Sequence, residues 1–128
     1  LKPNMVLSGS IAKNRAESEE VAKQTVRCFK ESIPSAIPGI VFLSGGQSDE
    51  EATINLNAIN THVSMVGAPW ELSYSYGRGL QATAQKIWAG KSANVEQAQQ
   101  AFLHRARLTS AARQGKYTPK MEDEIVSV

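Results

Sequence analysis

The chain has 128 residues and a mass of 13.9 kDa, with 41% hydrophobic and 20% charged residues, which fits one folded domain and excludes a disordered chain. A formal net charge of +2 is too small an excess to imply a nucleic-acid partner, and a single cysteine, Cys28, excludes an intrachain disulfide and any multi-cysteine metal site. No apolar run nears the roughly 18 residues of a membrane span, and no basic start leads into an apolar stretch, so a reducing, cytosolic setting is expected.

The chain opens abruptly on Leu1-Lys2-Pro3-Asn4-Met5-Val6, which predicts a fragment or a processed product. Residues 1–6 read as a short strand or strand end. A polar loop follows to residue 17, with Ser8, Gly9 and Ser10 as turn residues. Residues 18–32 read as a helix: Val21, Thr25, Cys28 and Phe29 form one stripe, and Ser18, Glu19 and Glu20 suit its start. The helix must end before Pro34. Ile40-Val41-Phe42-Leu43 is an unbroken apolar run, the pattern of a strand buried on both faces. Ser44-Gly45-Gly46-Gln47 turns the chain. Ser48 with Glu51 reads as a capping box, opening a helix with Ala52, Leu56 and Ile59 on one face and fraying into a loop over 61–69.

Residues 70–76 read as the next strand, Leu72, Tyr74 and Tyr76 alternating with Ser73 and Ser75. Gly77-Arg78-Gly79 turns into a helix over 80–88, with Gly90 just past its end. Asn94 is placed to cap a last helix whose stripe is Val95, Ala98, Phe102 and Ala106. The tail over 116–128 has no periodicity and reads as mobile.

This alternation predicts an α/β fold with a parallel sheet. Three parallel strands alone would expose two apolar edges. A complete eight-stranded βα barrel takes roughly 250 residues, so at most the last part of one fits here.

Chemistry in such folds gathers at the carboxyl ends of strands. Lys2 stands in an apolar segment; burial would favour its neutral, nucleophilic amine, which can form a Schiff base with a ketone. Lysines are rarely buried, so position alone favours a solvated Lys2 at a chain end. Ser44, Gly45 and Gly46 follow a strand and precede a capped helix, where backbone N–H groups and the helix N-terminus can hold an anion; an ordinary glycine turn is the alternative. Ser75, Gly77 and Arg78 repeat the arrangement and add a guanidinium suited to phosphate. Two consecutive loops of this kind match the phosphate site that βα barrels build after their last two strands.

His62 and His104 lack partners at metal-ligand spacing. Cys28 reads as a small core residue on its helix stripe. Arg105, Arg107, Arg113, Lys116 and Lys120 read as a solvated basic face, without the aromatics of a nucleic-acid platform.

Taken together, Leu1 to Val6, Phe42-Leu43-Ser44-Gly45-Gly46-Gln47-Ser48, Leu56-Asn57-Ala58-Ile59-Asn60, Pro69-Trp70 and Ser75-Tyr76-Gly77-Arg78 resemble the C-terminal portion of class I fructose-bisphosphate aldolase, from residue 1 to about Tyr117. The resemblance implies the last three βα units, a C-terminal helix and a tail of a (βα)8 TIM barrel, cut before its sixth strand, with residues 1–128 as one part of that domain. It implies that Lys2 forms the Schiff base with the sugar ketone. It also implies that Ser44, Gly45 and Gly46, with Ser75, Gly77 and Arg78, hold a substrate phosphate. Family members need no metal or other cofactor, take sugar-phosphate substrates, and are associated with homotetramers and the cytoskeleton.

The family's other acid–base groups come from earlier strands and are absent from this sequence. The chain ends in Val128 where many members end in a catalytic tyrosine, and residues 7–17 and 62–68 depart from the family's pattern. A non-catalytic phosphate-binding α/β module, or a fragment kept for interactions, is the competing expectation.

Overall fold

The computed structural model describes residues 1–124. Its elements are α1 (Ser18–Ser32), β1 (Gly39–Phe42), α2 (Asp49–Val66), β2 (Glu71–Tyr74), α3 (Arg78–Trp88) and α4 (Val95–Arg113). Short 3-10 turns at Ser92–Asn94 and Pro119–Asp123 flank α4. β1 and β2 pair in parallel, Gly39 opposite Glu71 and Phe42 opposite Tyr74. The Ser75 N–H extends the ladder by donating to the Phe42 carbonyl at 2.9 Å.

Residues 1–6 form no regular strand, yet they run beside β1. Leu1 donates to the Gly39 carbonyl at 3.2 Å, Val41 N–H donates to the Leu1 carbonyl at 2.8 Å, and Leu43 N–H donates to the Pro3 carbonyl at 3.0 Å. Residue numbers rise together along both segments, so the pairing is parallel. Pro3 has no N–H to return, which stops the ladder from becoming regular. The opening segment, β1 and β2 therefore lie side by side in one direction, the expected α/β arrangement.

The helices build one core against this sheet. α1 matches its expected bounds and buries Val21, Thr25 and Phe29 as read from the sequence. Cys28, expected in that stripe as a small core residue, is exposed. The buried face is centred on Ala22 and Phe29, and Cys28 lies about 100° of helical turn from Phe29, beyond its edge. Phe29 stacks on Phe42 with ring centroids 5.7 Å apart and meets Trp70 edge-on at 6.4 Å. Ile40 and Phe42 of β1 are fully buried in this core. Val41, expected to be buried as well, is only half-buried, because Phe29, Leu56 and Ile59 cluster with Ile40 and Phe42 on the opposite face of the strand.

The α2 capping box forms as expected. Ser48 Oγ accepts the Glu51 N–H at 3.1 Å, and the Glu51 carboxylate accepts the Ser48 N–H at 3.4 Å. Replacing Ser48 by Ala should lower stability by about 0.5–2 kcal/mol. Urea unfolding measures this: the midpoint should fall at constant slope, and an unchanged midpoint would show the cap to carry no weight. The helix does not fray over 61–69. It continues to Val66 and stops at Gly67, whose φ of +71° favours glycine and whose N–H donates to Val63. The polar run Asn60-Thr61-His62 reads as a loop, but it holds no proline or glycine to stop the helix.

α4 differs most from its expected stripe. Ala98 is buried, but Val95 and Phe102 are exposed, and Arg105, Leu108, Thr109 and Ala112 face inward instead. The buried stripe contains Arg105 because Glu122 pairs with its guanidinium. Thr109 hides its hydroxyl by donating to the Arg105 carbonyl at 2.8 Å. Asn94 does not cap α4. Its amide turns back to the end of α3, donating to the Ile87 and Trp88 carbonyls at 2.9 and 3.3 Å. Part of the expected tail is tied to the fold: Tyr117 is buried, its N–H donates to Asn57 Oδ1 at 2.9 Å and its phenol donates to Glu122 at 2.8 Å. The end of that tail, 125–128, lies outside the described residues.

Candidate active site

Parallel strands present their carboxyl ends together, and here three segments meet at that end. The opening segment carries Lys2 and Asn4. The β1–α2 turn carries Ser44, Gly45 and Gly46. The β2–α3 turn carries Ser75, Gly77 and Arg78. Asn4 Nδ2 donates to the Gly45 carbonyl at 3.3 Å, tying the first segment to the second. Gly79 N–H donates to Ser44 Oγ at 3.1 Å in a buried contact, tying the second to the third.

Lys2 is exposed at the start of this edge. Ser44 is buried, its hydroxyl already taken by Gly79. Gly45 is half-buried, and Gly46 is exposed with φ of +80°. The Gln47 N–H closes the turn by donating to the Ser44 carbonyl at 3.3 Å. Ser75, Gly77 and Arg78 are exposed. Gly77 stands at the N-cap of α3 and accepts from the Leu80 and Gln81 N–H groups, both at 3.1 Å.

The charge distribution singles out one of the two helix starts. The first turn of α2 carries Asp49, Glu50 and Glu51, and its capping box already satisfies the Ser48 and Glu51 amides. An anion gains nothing there, contrary to the expectation that the helix after Ser44, Gly45 and Gly46 would help hold it. The first turn of α3 holds no acidic residue, and Arg78 opens it. The start of α3 therefore combines the positive end of the helix dipole with the positive charge of Arg78.

Tyr76 lies just beneath this edge. Burial, and secondarily Tyr74, push its phenol well above the usual range, and the hydroxyl donates to the Ala52 carbonyl at 2.9 Å. It is a structural donor and not an acid–base group at neutral pH. Arg105, expected on a solvated basic face, is instead buried in its pair with Glu122.

Three contributors escape the sequence reading. Gly79 is the spacer that lets α3 approach Ser44: a Cβ there would sit 2.8 Å from Ser44 Cβ. The second glycine of Gly77-Arg78-Gly79, falling inside a helix, is the signal that could have found it. Asn4 and Arg15 act through backbone carbonyls, which residue spacing does not reveal. Arg15 pairs with Glu51 at 2.8 Å and reaches the Gly46 carbonyl at 3.4 Å. A cavity of about 760 Å³ between α1 and α2, beside His62, and another of about 620 Å³ between α3 and α4, beside Trp88, both lie away from this edge. Among the described residues no group of three His, Cys, Asp or Glu side chains is placed to hold a metal, and no helix is long and apolar enough to cross a membrane.

Comparison with known proteins supplies the context for this edge. The family model for glycolytic fructose-bisphosphate aldolase, class I, matches residues 1–127. A fructose-bisphosphate aldolase of Dictyostelium discoideum is 52% identical over 118 residues, which cover 92% of this chain and 32% of that protein. The cytosolic fructose-bisphosphate aldolase 4 of Arabidopsis thaliana is 52% identical over 118 residues, and a chloroplastic aldolase of the same plant is 50% identical over 124. The chain thus spans about a third of the length of the curated relatives it matches. Among solved structures, the fructose-bisphosphate aldolase of Plasmodium falciparum, in complex with TRAP and a small-molecule inhibitor, superposes with a TM-score of 0.85 at 47% identity. That superposition covers 92% of this chain and 33% of the other.

Proposed function

The chain belongs to the class I fructose-bisphosphate aldolase family, and on that premise we propose that it supplies the C-terminal portion of an aldolase barrel, with the Schiff-base lysine and one phosphate site. The reaction is the reversible cleavage of fructose 1,6-bisphosphate to dihydroxyacetone phosphate and glyceraldehyde 3-phosphate. The Lys2 amine adds to the C2 ketone, and the carbinolamine loses water to give an iminium. The C4 hydroxyl gives up its proton to a base supplied by the rest of the parent protein, C3–C4 breaks, and glyceraldehyde 3-phosphate leaves. The bonding pair moves into the iminium to form an enamine. Protonation at C3 and hydrolysis then release dihydroxyacetone phosphate and the free amine. The iminium is the electron sink, so the step calls on no group beyond the protein itself.

One observation carries this reading: the Lys2 segment, the Ser44 turn and the Arg78 turn are joined at a single strand end by the Asn4–Gly45 and Gly79–Ser44 hydrogen bonds. In this reading the backbone donors of Gly45 and Gly46, the Ser75 hydroxyl and the Arg78 guanidinium hold the phosphate, at the same strand end that carries Lys2. A cytoplasmic homotetramer with cytoskeletal contacts completes the proposal and rests on family membership.

Removing Arg78 tests the phosphate assignment. Arg78→Ala in the full-length parent should weaken binding of dihydroxyacetone phosphate roughly ten- to a hundredfold, the scale of one lost charge-assisted hydrogen bond. Dihydroxyacetone, which lacks the phosphate, should bind the variant and the parent alike in calorimetric titration. An equal loss for both ligands, or none for either, would remove Arg78 from the site.

A further inference from the structure

A peptide unit is rigid, so whatever holds its carbonyl also aims its N–H. No peptide bond in the described chain is cis. In a trans unit the carbonyl of one residue and the N–H of the next point in opposite directions. Asn4 Nδ2 holds the Gly45 carbonyl at 3.3 Å. The Gly46 N–H must therefore face away from Asn4. In the sheet the order is opening segment, β1, β2, so the β2–α3 turn with Ser75 and Arg78 lies across β1 from Asn4.

The side chain that does the holding is itself held. Asn4 Oδ1 accepts the Met5 N–H at 2.9 Å, which fixes which end of the amide faces Gly45. The next peptide unit is restrained from the other flank. Arg15, braced by Glu51 at 2.8 Å, donates to the Gly46 carbonyl at 3.4 Å. The opposite end of that unit, the Gln47 N–H, is spent on the Ser44 carbonyl. Gly46 needs these restraints because its φ of +80° leaves a residue without a side chain and with wide backbone freedom.

We infer that Asn4 is a positioning residue: it aims the Gly46 N–H into the phosphate site from the strand segment that carries Lys2. The inference rests on the phosphate site proposed above and adds its coupling to the lysine segment. A single residue, Pro3, separates the covalent lysine from the amide that aims the phosphate donor. Any shift of the Lys2 segment along β1 therefore moves the donor with it, and the distance between ketone and phosphate subsites stays fixed.

The test uses the full-length parent carrying Asn4→Ala, with Asn4→Gln as a longer amide. Binding of dihydroxyacetone phosphate and competition by inorganic phosphate are compared with binding of dihydroxyacetone. Asn4→Ala should weaken both phosphate-bearing probes by about three- to tenfold, the range of one neutral hydrogen bond. It should leave dihydroxyacetone binding and borohydride trapping on Lys2 unchanged, and Asn4→Gln should recover part of the loss. An equal fall for all three probes would make Asn4 merely structural, and no fall for any would remove it from the site; either result overturns the inference. If the unaltered parent itself shows no preference for the phosphate-bearing ligand, the phosphate site fails, a result separable from both.

Discussion

Replacing Lys2 by Met in the full-length parent should abolish cleavage and leave the fold intact. The loss should be on the order of 10⁴- to 10⁶-fold, the scale that follows deletion of a covalent nucleophile. The fold should survive because the backbone of Leu1 and Pro3, not the Lys2 side chain, makes the contacts to β1. Met keeps an unbranched stem and removes only the amine. Borohydride added during turnover should reduce the iminium and fix substrate carbons on the peptide containing Lys2, and the variant should take up none. Label recovered on Lys13 or Lys23, or cleavage that persists in the variant, would sink the assignment.

Adding one methyl group at Gly79 should damage both stability and phosphate binding. The new Cβ would lie 2.8 Å from Ser44 Cβ, 2.9 Å from Ser44 Oγ and 3.2 Å from the Tyr76 ring. Ser44 and Tyr76 are both buried, so neither can swing aside. The start of α3 must back away, and the Gly79–Ser44 hydrogen bond lengthens with it. Overpacking of this kind costs about 1–3 kcal/mol. Binding of dihydroxyacetone phosphate should fall by roughly tenfold or more as Arg78 retreats from the Ser44 turn. Gly77→Ala is the control for stability, because a Cβ at Gly77 meets nothing within 4 Å. Urea midpoints that fall equally in the two variants would show that close approach at Gly79 is not what holds the turns together.

The parallel α/β order, the bounds of α1 and the Ser48 capping box could all be read in the sequence, because each depends on local spacing or on residue types with one strong preference. α4 could not. Val95, Ala98 and Phe102 make as good a helical stripe as Ala98, Arg105, Leu108 and Ala112, and burying the second requires the charge of Arg105 to be paired, which Glu122 does from outside the helix. Asn94 is chemically a capping residue, but the sequence could not say which helix end it would serve. At the candidate site, residue types pointed to Lys2, the two glycine turns and Arg78. The partners that fix the turns, Asn4, Arg15 and Gly79, work through backbone atoms and close contact, which side-chain chemistry does not announce.

The two unlike helix starts at the strand end have a kinetic consequence. Glu51 is offset by Arg15, but Asp49 and Glu50 remain as negative charge on the α2 side, while Arg78 stands on the α3 side. On the proposed phosphate site, the acidic first turn of α2 repels an approaching phosphoester and the start of α3 attracts it before any hydrogen bond forms. It arrives with its orientation partly chosen, which raises the fraction of encounters that end in binding. Because this guidance acts through water between exposed charges, it fades once the Debye length shrinks to a few ångströms, at about 1 M salt, while the short-range grip of the backbone donors persists.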